Sequence, residues 1–95
     1  MMKLEFVSNK LLDLYSHGLG KDRYPVEVVR SFVKAVDVIK AVRDQPDLGQ
    51  RRGLRLEKLK GDLAGEWSLR LGKQFRLIVT FHEEACRLLR IEDYH

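Results

Sequence analysis

Ninety-five residues, 44% of them hydrophobic and only two of them proline, suffice for one compact domain over residues 1–95 and not for two separate cores. The single cysteine, Cys86, excludes an internal disulfide, the three scattered histidines offer no metal-ligand spacing, and no apolar run approaches the roughly 20 residues of a membrane span. Net charge is +4, but residues 51–76 hold eight Lys/Arg against three Asp/Glu while residues 1–50 hold eight against seven, so the excess is local and favours a polyanionic partner through phosphate neutralisation.

The opening "MMKLEFVSNK" lacks the apolar core of a signal peptide, which points to a cytoplasmic protein. Within it, residues 3–8 alternate in polarity and read either as a short strand or as the lead into a helix. Ser8 is placed to N-cap a short helix carrying Leu11, Leu12 and Tyr15 on one face, and Gly18 to close it in a left-handed cap. After the loop "HGLGKDRY", Pro25 suits a first helical position, and Val29, Phe32, Val33, Val36, Ile39 and Val42 recur at helical spacing up to about Arg43. The β-branched valines weaken intrinsic helicity, so this helix depends on packing against a sheet. "DQPDLGQRRG", with Pro46 and two glycines, reads as a connecting loop. From Leu54 onward the period changes to two, with candidate strands at residues 55–60, 66–71, 75–81 and 86–92 joined by connections short enough for hairpins. The expected fold class is α+β, with two N-terminal helices packed on one face of a mainly antiparallel sheet of four to five strands.

A three-residue loop at Gly72, Lys73 and Gln74 sets Leu71 opposite Phe75, Leu69 opposite Leu77 and Trp67 opposite Val79 on one apolar face. The other face then carries Arg70 opposite Arg76, Ser68 opposite Ile78 and Glu66 opposite Thr80. Like charges directly opposite each other cost up to about 1 kcal/mol in a sheet. Two guanidinium forks side by side suit a phosphodiester, whose oxygens accept bidentate hydrogen bonds; the alternative is an ordinary ion pair of one of them with Glu66 or Glu92. Leu54, Leu56 and, past an irregularity, Leu59 are expected to point inward, which lets Lys58 or Lys60 approach the arginines. Lys60 stands just before a turn at Gly61 and Asp62, as a reachable ammonium or as a solubilising strand-end lysine.

The last residues, "IEDYH", put Asp93, Tyr94 and His95 at the end of the final strand. His95 is a group able to move protons near neutral pH, and Tyr94 can stack or hydrogen-bond; a frayed terminus is the alternative. His17 and His82 have no acid/base companion and read as solvent-facing or structural, Trp67 as core, and Cys86 as a strand residue without a nucleophilic role.

Taken in order, "NKLLDLYSHG", "LKGD", "WS", "QFR" and the terminal "DYH" resemble the HigB-type toxins of the RelE/ParE superfamily over nearly the whole chain. The resemblance implies a microbial-ribonuclease, RelE-like fold and an endoribonuclease that cuts mRNA on the ribosome without metal or cofactor. In that scheme the 2′-hydroxyl attacks the adjacent phosphate while the protein supplies proton transfer and electrostatic stabilisation. It also implies silencing by a cognate HigA-type helix-turn-helix antitoxin, with operator DNA met only through that antitoxin. Position by position, Lys60 and Arg76 are similar to the family's phosphate contacts, and Asp93, Tyr94 and His95 to its C-terminal catalytic cluster. Some relatives have histidine where Glu57 stands and arginine where Gly72 stands; Arg70 is then the substitute cation and Glu57 an alternative base. Arg55, Lys58 and Lys73 are the flanking candidates for RNA contact. Two other readings are a ParE-like gyrase poison and a non-catalytic RNA- or ribosome-binding module.

Overall fold

The computed structural model describes residues 2–61 and 65–94. Strand β1 (Lys3–Phe6) leads into helix α1 (Asn9–His17), helix α2 (Val26–Ala41) and a short helix α3 (Gln45–Gly49), followed by strands β2 (Glu57–Lys58), β3 (Trp67–Arg70), β4 (Phe75–His82) and β5 (Ala85–Asp93). The five strands form one sheet in the order β1-β5-β4-β3-β2, and every neighbouring pair is antiparallel except β1 with β5. The ambiguous first segment is thus a strand. It can run parallel to β5 because the whole intervening chain serves as the crossover.

The caps of α1 are those its sequence implies. Ser8 is extended, and its Oγ accepts from the Leu11 N–H at 3.4 Å. Gly18 takes φ 69°, its N–H donating to the Leu14 carbonyl at 3.1 Å while Leu19 N–H reaches Asp13 at 3.3 Å, so two otherwise orphaned carbonyls are bonded. Replacing Ser8 with alanine is expected to cost about 1 kcal/mol of stability, read as a lower denaturant midpoint at unchanged slope.

Three expectations need correction. On α1 the buried residues are Leu11 and Leu14, whereas Leu12, expected on the apolar face, is 39% exposed. The stretch taken as a loop around Pro46 contains α3, because Asp44 is extended and its Oδ1 accepts from Asp47 N–H at 3.0 Å, while Pro46 lies in the first turn where its missing N–H is harmless. The inward face of α2 is also rotated: Val28, Phe32, Ala35, Val36 and Ile39 are buried, whereas Val29 and Val33 lie half-buried on its flank. Val28 and Ala35 complete a spacing of three, four and one that faces the sheet squarely.

The core between the helices and the sheet centres on Phe32, Val36, Ile39, Leu69, Leu71, Leu77, Val79 and Leu88, all fully buried. Trp67 packs at its border, edge-to-face with Phe81 at 5.8 Å between ring centroids. Cys86 is buried in the same core, and burial pushes its thiol up to about 12, so it stays protonated and poorly nucleophilic near neutral pH. No helix among the described residues is long and apolar enough to cross a membrane.

Candidate active site on the outer sheet face

The register between β3 and β4 is the one the three-residue loop requires. Trp67 pairs with Val79, Ser68 with Ile78, Leu69 with Leu77 and Arg70 with Arg76, and Leu71 N–H closes the hairpin on the Phe75 carbonyl at 2.9 Å. The face turned away from the helices therefore carries Ser68, Arg70, Arg76 and Ile78. Ser68 and Ile78 are buried there, so polar side chains stand over a small apolar floor.

Strand β5 completes this face through an irregularity. Thr80 pairs with Arg87 and Val79 with Leu88, but Ile78 pairs with Arg90, leaving Leu89 as an extra residue; beyond it Leu77 pairs with Ile91 and Arg76 with Glu92. The bulge reverses the alternation. Leu88 and Ile91, three residues apart, both serve the core, and Arg90 and Glu92 join the outer face beside Arg76. Tyr94 continues that alternation, and its ring lies 5.9 Å from Arg76 Cζ.

Charge on the face is divided unequally. Arg90 donates from Nη2 to Glu66 Oε1 at 2.7 Å and from Nε to Glu92 Oε1 at 2.5 Å; those two bonds hold its guanidinium firmly in the charged form. Glu66 and Glu92, the carboxylates considered as partners for Arg70 or Arg76, thus bind Arg90 instead. The side chain of Arg76 is only 20% exposed, and its buried Nη1 makes no hydrogen bond among the described residues; the Glu57 carboxylate lies 3.7 Å away. Nη1 is out of reach of solvent beside Glu57, so an incoming anion meets the guanidinium only through the exposed fifth of the side chain.

Arg70 takes another direction. Its Nε donates to the Gly72 carbonyl at 3.0 Å, and its side chain lines a cavity with Lys34, Arg51 and Arg52, so the side-by-side forks expected from the backbone register are not formed. Lys58 pairs with Trp67 and so stands on the helix side of the sheet, while Glu57, opposite Ser68, occupies the arginine face. Leu59 N–H bonds the Glu66 carbonyl at 2.9 Å, which continues that register without an irregularity and turns Leu59 outward. Lys60 is exposed and adjoins Gly61; its proposed turn partner Asp62 lies outside the described residues. Arg55 is exposed in a left-handed conformation (φ 46°), and Lys73 is exposed in the hairpin loop. Asp93 Oδ1 accepts from Gln74 Nε2 at 3.2 Å, and Tyr94 N–H bonds the Gln74 carbonyl, which ties the C-terminal segment to the same hairpin. His95 lies outside the described residues. His17 is exposed at the end of α1, and exposed His82 shares a hydrogen bond with Thr80 at 2.8 Å.

Arg90 is the member of the face that the sequence did not single out. Its signal was the pair Leu88-Leu89 between Arg87 and Arg90, two adjacent apolar residues that break a period of two where a bulge belongs. At Gly72 the backbone has φ 142°, which disfavours any side chain. Gly72→Arg, which restores the arginine of some relatives, is expected to cost about 1–3 kcal/mol, measured as a fall in unfolding free energy rather than a gain in activity.

Comparison with known proteins agrees with the fold and with the sequence resemblance. Residues 4–95 match the family of RelE-like HigB toxins of type II toxin-antitoxin systems. The chain is 31% identical to Toxin HigB-1 of Vibrio cholerae over 77 residues, 81% of each protein. Among solved structures, YoeB in the YoeB-YefM complex of Staphylococcus aureus superposes with a TM-score of 0.63 at 19% identity, covering 100% of this chain and 98% of that one. The archaeal RelE-RelB complex of Pyrococcus horikoshii OT3 gives 0.63 at 16% identity (97% and 93% covered), and YafQ of E. coli gives 0.61 at 13% (98% and 93%). A family match over all but the first three residues, with the same α+β architecture in the solved neighbours, makes this chain a RelE-like toxin of the HigB family of type II toxin-antitoxin systems.

Proposed function

We propose that the toxin is an endoribonuclease that cuts mRNA on the ribosome and is silenced by a cognate HigA-type antitoxin. The observation that carries this reading is Arg76: a guanidinium on the outer sheet face, its side chain one-fifth exposed, set between the Tyr94 ring and the Glu57 carboxylate. A phosphodiester seated there receives hydrogen bonds from Arg76, which stabilise the charge that grows on the nonbridging oxygens as the 2′-hydroxyl attacks. Glu57, 3.7 Å from Arg76 Nη1, is assigned the proton of the 2′-hydroxyl, and His95, next to Tyr94 in the chain, the proton delivered to the departing 5′-oxygen. The products are a 2′,3′-cyclic phosphate and a 5′-hydroxyl. Lys60 supplies a second cation, Tyr94 a surface for a base, and Asp93 a tether through Gln74. Arg55 and Lys73 are assigned to the flanking backbone, whereas Lys58, on the other side of the sheet, meets RNA only at the edge. YoeB-YefM is a toxin-antitoxin complex with a toxin of this fold, which supports a protein partner for this one.

The test maps mRNA ends in translating and ribosome-depleted extracts with wild-type protein and His95→Ala. Cuts bearing 5′-hydroxyl ends only where ribosomes are present, and their loss in the variant, are expected. Intact mRNA in both extracts, together with inhibited supercoiling by gyrase, would reassign the toxin to the gyrase-poisoning class.

A further inference from the structure

The carboxylate placed to neutralise Arg76 is bound to another cation. Glu92 stands directly opposite Arg76 in the β4–β5 register, both on the outer face, where an oppositely charged cross-strand pair ordinarily forms an ion pair. Glu92 Oε1 instead accepts from Arg90 Nε at 2.5 Å. Arg90 can take it because the bulge at Leu89 sets the two residues two apart on one face of β5, and because Arg90 stands opposite Ile78, which offers its guanidinium no partner. The far end of that guanidinium crosses β4 to Glu66, Nη2 donating to Oε1 at 2.7 Å and Nη1 to Oε2 at 3.4 Å. All three of its nitrogens thus donate to carboxylates, so Arg90 meets a phosphate only by releasing one of them. Both carboxylate side chains are largely shielded, Glu66 21% and Glu92 34% exposed, so water weakens this network less than it weakens a surface ion pair.

We propose that Arg90 is a positioning residue for cleavage: by binding Glu66 and Glu92 together it keeps the Glu92 carboxylate off Arg76, and so reserves the exposed part of the Arg76 guanidinium for the scissile phosphate. Without Arg90, Glu92 turns to the guanidinium it already faces across the strands. The ion pair that forms neutralises Arg76 and occupies donors that the phosphate needs. Its negative charge also repels the phosphate directly. Neither effect involves contact between Arg90 and RNA. The proposal rests on the reading that Arg76 holds the phosphate at which the message is cut, and it identifies what keeps that guanidinium available.

The test compares folded Arg90→Gln with folded Arg90→Gln/Glu92→Gln, each checked by thermal melting, in end-mapping of an mRNA in a translating extract. Both variants lack the guanidinium and leave Glu66 without it, so a loss caused by weakened packing or by a missing phosphate contact is common to the two. Arg90→Gln is expected to lower cleavage by about tenfold or more, and the added Glu92→Gln to restore most of that loss. Wild-type activity in Arg90→Gln overturns the proposal. A loss that the second substitution does not repair overturns it too, and reassigns Arg90 to the phosphate or to the scaffold. A second readout follows the Arg76 Nε–H signal by NMR as inorganic phosphate is added. Phosphate affinity at Arg76 is expected to fall by about tenfold in Arg90→Gln and to recover in the double variant, and equal affinity in all three proteins overturns the proposal. If the wild-type toxin cuts no mRNA, the endoribonuclease reading falls while this titration still decides the role of Arg90. A wild-type Arg76 signal that phosphate does not shift overturns both.

Discussion

Arg76→Ala is expected to lower mRNA cleavage by about two to three orders of magnitude while leaving the fold intact, the usual loss when one preorganised donor to a developing oxyanion is removed. Stability should change little. Arg76 sits on the outer face over Ile78, outside the core between helices and sheet, and the carboxylate that loses its partner, Glu57, is 59% exposed. Arg76→Lys separates charge from geometry. A lysine keeps the positive charge but loses the planar fork, so activity between wild type and alanine is the expected result. Equal activity of lysine and arginine would mean that Arg76 acts only as a point charge.

The second large effect is on stability. Phe32 is fully buried at the centre of the α2 face, against strands whose inward residues are also fully buried. Phe32→Ala removes most of its side chain and leaves a cavity, at a cost of about 3–5 kcal/mol. A small domain has only roughly 5–15 kcal/mol of stability in total, so the variant should be largely unfolded at moderate urea concentrations where wild type is folded. A shift below 1 kcal/mol would mean that α2 contributes less to the core than its burial implies.

How much of this was legible in the sequence varies by element, for physical reasons. Ser8 and Gly18 act within one helical turn of the groups they cap, so α1 could be read locally. The β3–β4 register followed from a short loop and a two-sided polarity pattern, both local. The pairing of β1 with β5 and the bulge at Leu89 involve partners at the far end of the chain or across the sheet, and composition marks them weakly. Arg70 shows the difference between backbone and side chain: its Cα lies opposite Arg76 as expected, yet its Nε bonds Gly72 and its side chain lines the cavity with Lys34. A flexible arginine settles where acceptors are, and spacing does not specify those. The same applies to Glu66 and Glu92, which could have neutralised the site had the bulge not brought Arg90 between them.

The proposed cleavage requires a phosphate of the message to be held at Arg76. The most direct measurement is end-mapping of a single mRNA in a translating extract given equal amounts of folded wild-type and Arg76→Ala toxin. Cuts with 5′-hydroxyl ends in the first sample and at least a hundredfold fewer in the second are expected. The same cuts at the same rate in both samples would contradict it.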